Sequence, residues 1–418
     1  MSMSSDLLTV KLEKFVYGGD ALGRVPDPQT GSGDRVVFVP FALPGETVSV
    51  RVIEQKRSHL RAGLVEVLHP SPERIPPKCT HFGVCGGCAY QQLSYPAQLQ
   101  VKTGILVDQL ARIGKIQDPP VQPMIASPRG WNYRNHVQFH LSSLGKLGYI
   151  QANGRDMFPI SECHLPEPAL NNLWPGLEFD PGLGLERVSL RLGMEDEIML
   201  VLESANPEPP ELELEAALSV VHLAGEDMVV MAGDDHITMS VKGRAFRVSA
   251  ASFFQVNTGM AGEMVQHMLE HLPVNPRTTL LDVYCGVGLF SAFFAGRVGH
   301  LIGIESSPSA CQDFTANLDE FDHVELYEAS AEAVLPGLEV KPDVVIADPP
   351  RAGLDKRALE ALLALRPASI AYVSCDPSTL ARDAARLISG GYRLVQVTPF
   401  DLFPQTYSIE SISFFEKK

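Results

Sequence analysis

TLLDVYCGVGLFSAFFA, residues 279–295, reads as an apolar strand, a turn carrying two glycines, and an apolar helix. Within it, Gly286 and Gly288 fall where the strand must turn, and glycine permits both a tight turn and close backbone approach. HLIGIESSPSACQDFTANL (300–318) repeats the scheme, and PDVVIADPP (342–350) and SIAYVSCDP (369–377) are further apolar strands ending in polar turns. This alternation predicts βαβ units and a mostly parallel, doubly wound, Rossmann-like α/β domain over 241–418. In such sheets ligands bind beyond the carboxyl ends of the strands.

Polar residues gather at those ends. The third glycine of the dinucleotide fingerprint is absent, so the first helix need not receive a pyrophosphate. Glu305 ends the next strand, where an acid can accept both hydroxyls of a ribose. Asp282 near the glycine turn, Glu305 and Asp348 together form an S-adenosylmethionine pattern. Asp348-Pro349-Pro350 also occurs, followed by an aromatic residue, in amino-methyltransferases that grip an exocyclic amine; here Arg351 follows instead. In YVSCDPSTLARD (372–383) a cysteine stands where a strand runs out. Cys375 is either packing or a nucleophile at the rim of the sheet, and Asp376 is placed to cap the helix that begins next. Cys285 and Cys311 read as packing residues.

The remaining chain is organised differently. At 418 residues it is too long for one ordinary domain, and its 45% apolar and 20% charged residues are those of a water-soluble protein. No apolar run approaches the ~20 residues of a membrane span, and MSMSSDLLTVKLEK has no basic start followed by an apolar core. A cytoplasmic, monomeric protein without membrane contact is expected, and cytosolic cysteines more often bind metal or react than form disulfides. The net charge of −16 conceals an asymmetry: residues 1–165 hold 17 Lys/Arg against 13 Asp/Glu, and residues 166–240 hold 2 against 16. A mildly basic N-terminal third can still offer one face to phosphate.

Residues 1–70 contain short β-rich runs punctuated by turns: GGDALGRV, RVVFV, LPGE, TVSVRVIE and AGLVEVL. They predict a small antiparallel barrel with Lys56, Arg57 and Arg61 on a loop between strands. PSPERIPPKC (70–79) is a proline-dense linker into an α+β central region, 71–240. There Cys79, Cys85 and Cys88 lie close together, with Gly86 and Gly87 freeing the backbone to wrap an ion or cluster; Cys163 is the natural fourth ligand. Zinc and iron–sulfur both accept four thiolates, so spacing leaves the choice open. A helix over about 94–113, suited to packing on the catalytic domain, and a hairpin from WNYRNHVQFHLSS to GKLGYI follow. The acidic NPEPPELELEAA (206–217) reads as exposed.

Taken in order, these motifs resemble the RNA (uracil-5-)-methyltransferases, specifically the 23S rRNA branch with a TRAM barrel and a 4Fe-4S cluster. The resemblance spans essentially the whole chain through GGDALGRV, VVFVPFALPGE, the cysteine cluster, FFQVN, DVYCGVGLF, ADPPRAGLD, VSCDP and FPQTYSIES. It implies that the TRAM (OB-like) barrel binds RNA and that Cys79, Cys85, Cys88 and Cys163 hold the cluster. It further implies that Gln255, Tyr284, Glu305 and Asp348 contact S-adenosylmethionine, Cys375 is the nucleophile and Glu410 the base. Leu289 departs from the pattern, standing where many members have Asn. RNA, with ribosomal RNA favoured over tRNA, is the implied partner, and the implied product is 5-methyluridine. Tyr133, Arg134, His136 and Arg155, with the barrel, are the candidate RNA surface, because an unstacked loop base is what such proteins read. Two other readings compete: an amino-methyltransferase using the DPP motif, and an iron–sulfur RNA-binding or redox protein whose nucleotide fold is vestigial.

Overall fold

The structure, a computed structural model, describes residues 7–26, 34–213 and 217–418. Five strands close into an N-terminal barrel in the order β1-β2-β3-β5-β4: β1 (Leu7–Phe15), β2 (Ala21–Pro26), β3 (Asp34–Val39), β4 (Thr47–Gln55) and β5 (His59–His69). Alternation along these strands sends Val10, Leu12, Val37, Val39, Val48 and Val50 inward, where they form the barrel core. Arg61 sits on β5 itself, not on the loop expected for it, whereas Lys56 and Arg57 occupy the β4–β5 turn.

Helix α1 (Tyr95–Arg112) starts with a proline in its first turn, where the missing N–H costs nothing. Its Leu106 and Leu110 enter the core of the C-terminal domain, and its outer turns lie against the barrel. A seven-stranded sheet follows in the order β12-β11-β10-β9-β6-β7-β8. Its strands are β6 (His136–Leu141), β7 (Leu147–Ile150), β8 (Met157–Pro159), β9 (Leu185–Leu192), β10 (Ile198–Ser204), β11 (Ser219–Ala224) and β12 (Asp227–Ala232). Helix α2 (Pro168–Leu173) packs on it through Leu170, next to Trp174. The expected hairpin is β6–β7. Residues 206–213 of the acidic segment are mostly exposed; 214–216 lie outside the described residues.

The hairpin β13 (His236–Val241) and β14 (Arg244–Ser249) packs into the core of the C-terminal domain, which also takes in Met199 and Val201 of β10 and Val221 of β11. Its sheet is built by β15 (Thr279–Val283), β16 (His300–Glu305), β17 (Val324–Glu328), β18 (Val344–Ala347), β19 (Ser369–Ser374), β20 (Tyr392–Phe400) and β21 (Glu410–Lys417). The order is β17-β16-β15-β18-β19-β21-β20; the first five strands are parallel, and β21 alone runs against them, antiparallel to both β19 and β20. Helices α3 (Thr258–His271), α4 (Leu289–Phe294), α5 (Pro308–Asn317), α6 (Ala331–Val334), α7 (Lys356–Leu365) and α8 (Pro377–Ser389) cover it. β18 and β19 are buried along their whole length, as a sheet covered on both faces requires. No helix among the described residues is long and apolar enough to cross a membrane.

One ion pair ties these units together. Lys102 on α1 is fully buried, and its Nζ donates to Asp401 Oδ1 at 2.6 Å and to the Phe403 carbonyl at 2.9 Å. Burial alone holds the lysine pKa below its usual value, and the Asp401 carboxylate opposes that shift. Removing one partner strands a buried charge. Lys102→Met should therefore lower stability in urea unfolding by about 3–5 kcal/mol, and Lys102→Met with Asp401→Leu should recover much of it.

Candidate active site

Cys375 follows the last residue of β19, half-exposed at the carboxyl edge of the sheet. The turn it occupies is stitched on both sides. Ser374 Oγ donates to the Asp376 carbonyl at 2.9 Å, and Asp376 N donates back to Ser374 Oγ at 3.2 Å. Asp376 Oδ1 accepts from Ser378 N and Thr379 N at 2.8 and 3.0 Å, which makes it the N-cap of α8 as the sequence implied.

Glu410 reaches Cys375 through topology. β21 is inserted antiparallel beside β19 with Ser374 opposite Ser411, so the next step of the register sets Glu410 opposite Cys375. Glu410 is buried, and its pKa lies well above the carboxylate range because of burial first and the Asp348 charge second. The Cys375 thiol is pushed up to about 12 by burial, then by Glu410 and Asp348. Asp348 follows the last residue of β18 and is raised to about 7 by burial and then by Asp282. Arg351, read from the sequence only as a departure in the DPP motif, is the cation that opposes the shifts of both Cys375 and Glu410.

The glycine turn lies two strands away. Tyr284, Gly286 and Gly288 all have φ in the left-handed region, at 65°, 54° and 88°. A Cβ on Gly288 would lie 2.5 Å from Leu318 Cδ1, so packing as well as backbone conformation demands glycine there. Glu305 fastens this turn: Oε2 accepts from Gly286 N at 3.0 Å, and Oε1 from Ser306 N and Ser307 N at 2.7 and 2.8 Å. Tyr284 and Glu305 line one cavity of about 480 Å³ with Ser330, Pro350 and Lys356. Asp348 belongs instead with Cys375 and Glu410. Gln255 lies on the loop before α3, where its carbonyl accepts from Asn135 Nδ2 at 3.0 Å. Leu289 is buried in the core at the start of α4, and Cys285 and Cys311 are buried packing residues.

Cys79, Cys85, Cys88 and Cys163 are free thiols on the wall of one cavity of about 410 Å³, which extends to Arg134, His136 and the Thr406–Ser408 loop. Gly86 lets the segment run close to β7: a Cβ there would come 2.8 Å from the Ile150 carbonyl. Burial pushes Cys88 up to about 12 and Cys163 up to about 11; the neighbouring thiols add to this and Arg134 opposes it. Among the described residues, no three His, Cys, Asp or Glu side chains are arranged to hold a single metal ion.

Three residues of the expected RNA surface face inward. Tyr133 is buried and donates to the Pro404 carbonyl at 3.0 Å. Arg134 and His136 line the cysteine cavity, and burial beside Arg191 and Arg134 lowers His136 to about 3. Their alternating polar residues signalled a hairpin correctly, but not that a second layer covers it. Arg155 remains exposed. Sequence reasoning also missed Tyr17, which donates to Asp376, and Tyr407, whose ring meets that of Tyr17; no local signal marks them, since the barrel and the C-terminal loop meet only in the fold.

Residues 215–418 match the family described as tRNA (Uracil-5-)-methyltransferase, and residues 4–65 match the TRAM domain. An uncharacterized RNA methyltransferase of Thermosynechococcus vestitus is 32% identical over 97% of both chains. One from Aquifex aeolicus is 32% identical over the full length of both. A crystal structure of the Pyrococcus abyssi tRNA (uracil-54, C5)-methyltransferase with S-adenosyl-L-homocysteine has the same fold, with a TM-score of 0.73 and 23% identity over 97% of this chain and all of that one.

The acid corner has a measurable consequence. A carboxyl whose folded pKa is about 7 and unfolded value 3.8 keeps its proton in the folded state while the unfolded chain loses it, so its contribution to stability falls as pH rises between those values. Asp348→Asn removes that term. Relative to the parent, the variant should gain stability as pH rises from about 4 to about 7, read from urea midpoints across that range. A pH-independent difference would show that Asp348 titrates normally.

Proposed function

The chain belongs to the uracil-5 family of S-adenosylmethionine-dependent RNA methyltransferases, and from that premise we propose that it methylates C5 of a uridine in 23S rRNA through a covalent adduct on Cys375. The observation that carries this reading is the strand register, with Cys375 and Glu410 at facing positions beside Asp348 and Arg351.

Uracil C5 is a weak carbon nucleophile until something adds at C6. The soft Cys375 sulfur is suited to that addition, forming a C6–S bond and leaving C5 enolate-like. Bound S-adenosylmethionine would supply an electrophilic methyl carried on a sulfonium cation. Once C5 carries the methyl and the donor has left as its neutral thioether, ionised Glu410 takes the C5 proton, the C5–H electrons become the C5=C6 double bond, and the C6–S electrons leave with sulfur as the thiolate. Burial raises the pKa of both Cys375 and Glu410, so the anions the reaction uses have to be favoured by Arg351 and by a second cation brought into the pocket. Glu305 and Tyr284 are the residues we assign to the nucleoside end of the donor, with Asp348 and Gln255 toward its reacting end. Asp348 at its raised pKa can also offer a proton or hydrogen bond to the uracil edge.

Cys79, Cys85, Cys88 and Cys163 are assigned to a 4Fe-4S cluster. The donor set fits: four thiols line one cavity, and the Nε of the neighbouring Arg134, a buried nitrogen without a hydrogen-bond partner, can offset thiolate charge. With four protein ligands the cluster is closed, and its role here is structural. Anaerobically purified protein should be brown with about four irons per chain, and Cys88→Ser should lose both the colour and thermal stability. Stoichiometric zinc without visible absorption would refute this assignment.

Ribosomal RNA is favoured because the barrel and cysteine cluster resemble that branch; tRNA stands as the second reading because the Pyrococcus abyssi protein of the same fold is named for tRNA. Mass mapping of 5-methyluridine in both RNAs from a deletion strain, complemented with each variant, tests substrate and mechanism together. The wild type should restore the mark in rRNA, and Cys375→Ala should restore none. Glu410→Gln should accumulate methylated RNA as an adduct that survives denaturing electrophoresis, because the C5 proton stays in place. Restoration in tRNA alone would overturn the rRNA reading, and an active Cys375→Ala would overturn the covalent mechanism.

A further inference from the structure

We propose that Tyr17, carried by the N-terminal barrel, is a positioning residue for the Cys375 site. The β1–β2 turn closes through Val16 N donating to the Asp20 carbonyl at 2.9 Å, with Gly18 and Gly19 at φ of 105° and 93°. It is seated tightly. A Cβ on Gly19 would lie 2.9 Å from Ala89 Cβ and 3.4 Å from Tyr407 Cβ, so the turn is wedged between the residue after Cys88 and the loop leading to Glu410. Its base is fixed by Phe15 edge-on to Tyr90, centroids 5.4 Å apart, and by Lys14 donating to Asp108 on α1 at 3.0 Å.

From this turn the Tyr17 hydroxyl donates to Asp376 Oδ2 at 3.1 Å, and its ring meets Tyr407 edge to face at 6.2 Å. Asp376 directly follows Cys375, and its two oxygens are divided: Oδ1 caps α8 and Oδ2 takes the tyrosine. Cys375 thus stands between Ser374 and Asp376, which are bonded to each other, and the outer clamp on that unit comes from another domain. The barrel therefore contributes to the geometry of the chemistry besides any grip on RNA. A nucleophile displaced by a fraction of an ångström loses rate without losing substrate affinity.

The inference rests on Cys375 being the nucleophile. Tyr17→Phe keeps the ring against Tyr407 and deletes only the hydroxyl. With total ribosomal RNA from a deletion strain as substrate, kcat for methyl transfer should fall roughly tenfold, the rate equivalent of one hydrogen bond to a charged group, while KM for RNA stays unchanged and the melting temperature falls by no more than a few degrees. Asp376→Ser retains a good helix cap but is too short to reach Tyr17, and should reproduce the loss. The double variant should be no slower than either single one, because both remove the same bond. Wild-type kcat in Tyr17→Phe, or a change confined to KM, overturns the positioning role while an inactive Cys375→Ala leaves the catalytic reading standing. Full activity of Cys375→Ala overturns both.

Discussion

The buried pair of Lys102 and Asp401 is the constraint around which the units assemble. Two fully buried charges at 2.6 Å are costly to desolvate, and the geometry offsets that cost only because the ammonium also donates to the Phe403 carbonyl. The bond fastens α1 to the chain between β20 and β21. Neighbouring bonds converge on the same loop: Gln98 holds Gln405 through side chain and backbone, Tyr133 donates to the Pro404 carbonyl, and Ala89 N and Tyr90 N donate to the Gln405 carbonyl. The segment after the cysteine cluster, α1 and the central region are thereby anchored to the loop that ends at Glu410.

That anchoring matters because of how the sheet ends. A parallel doubly wound sheet gathers ligand-facing residues at its carboxyl edge, which accounts for Asp348, Glu305 and Cys375. An all-parallel sheet would present only strand ends there. The antiparallel β21 instead begins at that edge, so the first residue of a strand, Glu410, faces the residue after the last of another, Cys375. The result is a corner in which burial and mutual charge raise the pKa of acids and a thiol together, with Arg351 as the opposing charge. Groups held in this way respond strongly to any cation brought beside them.

The loop that lines the cysteine cavity runs on to Glu410. Thr406, Tyr407 and Ser408 line the cavity, and Glu410 follows two residues later. The barrel turn is wedged between the same two regions through Gly19. A group filling the cavity would stabilise the approach to Glu410 as well as its own segment. Arg134 and His136 are recruited to this interior wall, whereas Arg155, Lys56 and Arg57 stay exposed.

The sequence by itself determined the alternating strands and helices of the C-terminal domain, the barrel, the β6–β7 hairpin and the cap at Asp376. Each rests on local rules: apolar periodicity, glycine and proline at turns, and an acid before a helix. It also showed which residues could carry chemistry, because cysteines and acids at strand ends stand out against apolar runs. Only the tertiary structure decided which of them meet. Tyr284 and Glu305 share a cavity, whereas Asp348 joins Cys375 and Glu410, since strand order is set by non-local pairing that no short window encodes. Tyr133, Arg134 and His136 turned inward, and Tyr17 came to Asp376 from another domain, for the same reason. A polar side chain looks alike in sequence whether water or a second layer covers it, and that covering is a property of packing alone.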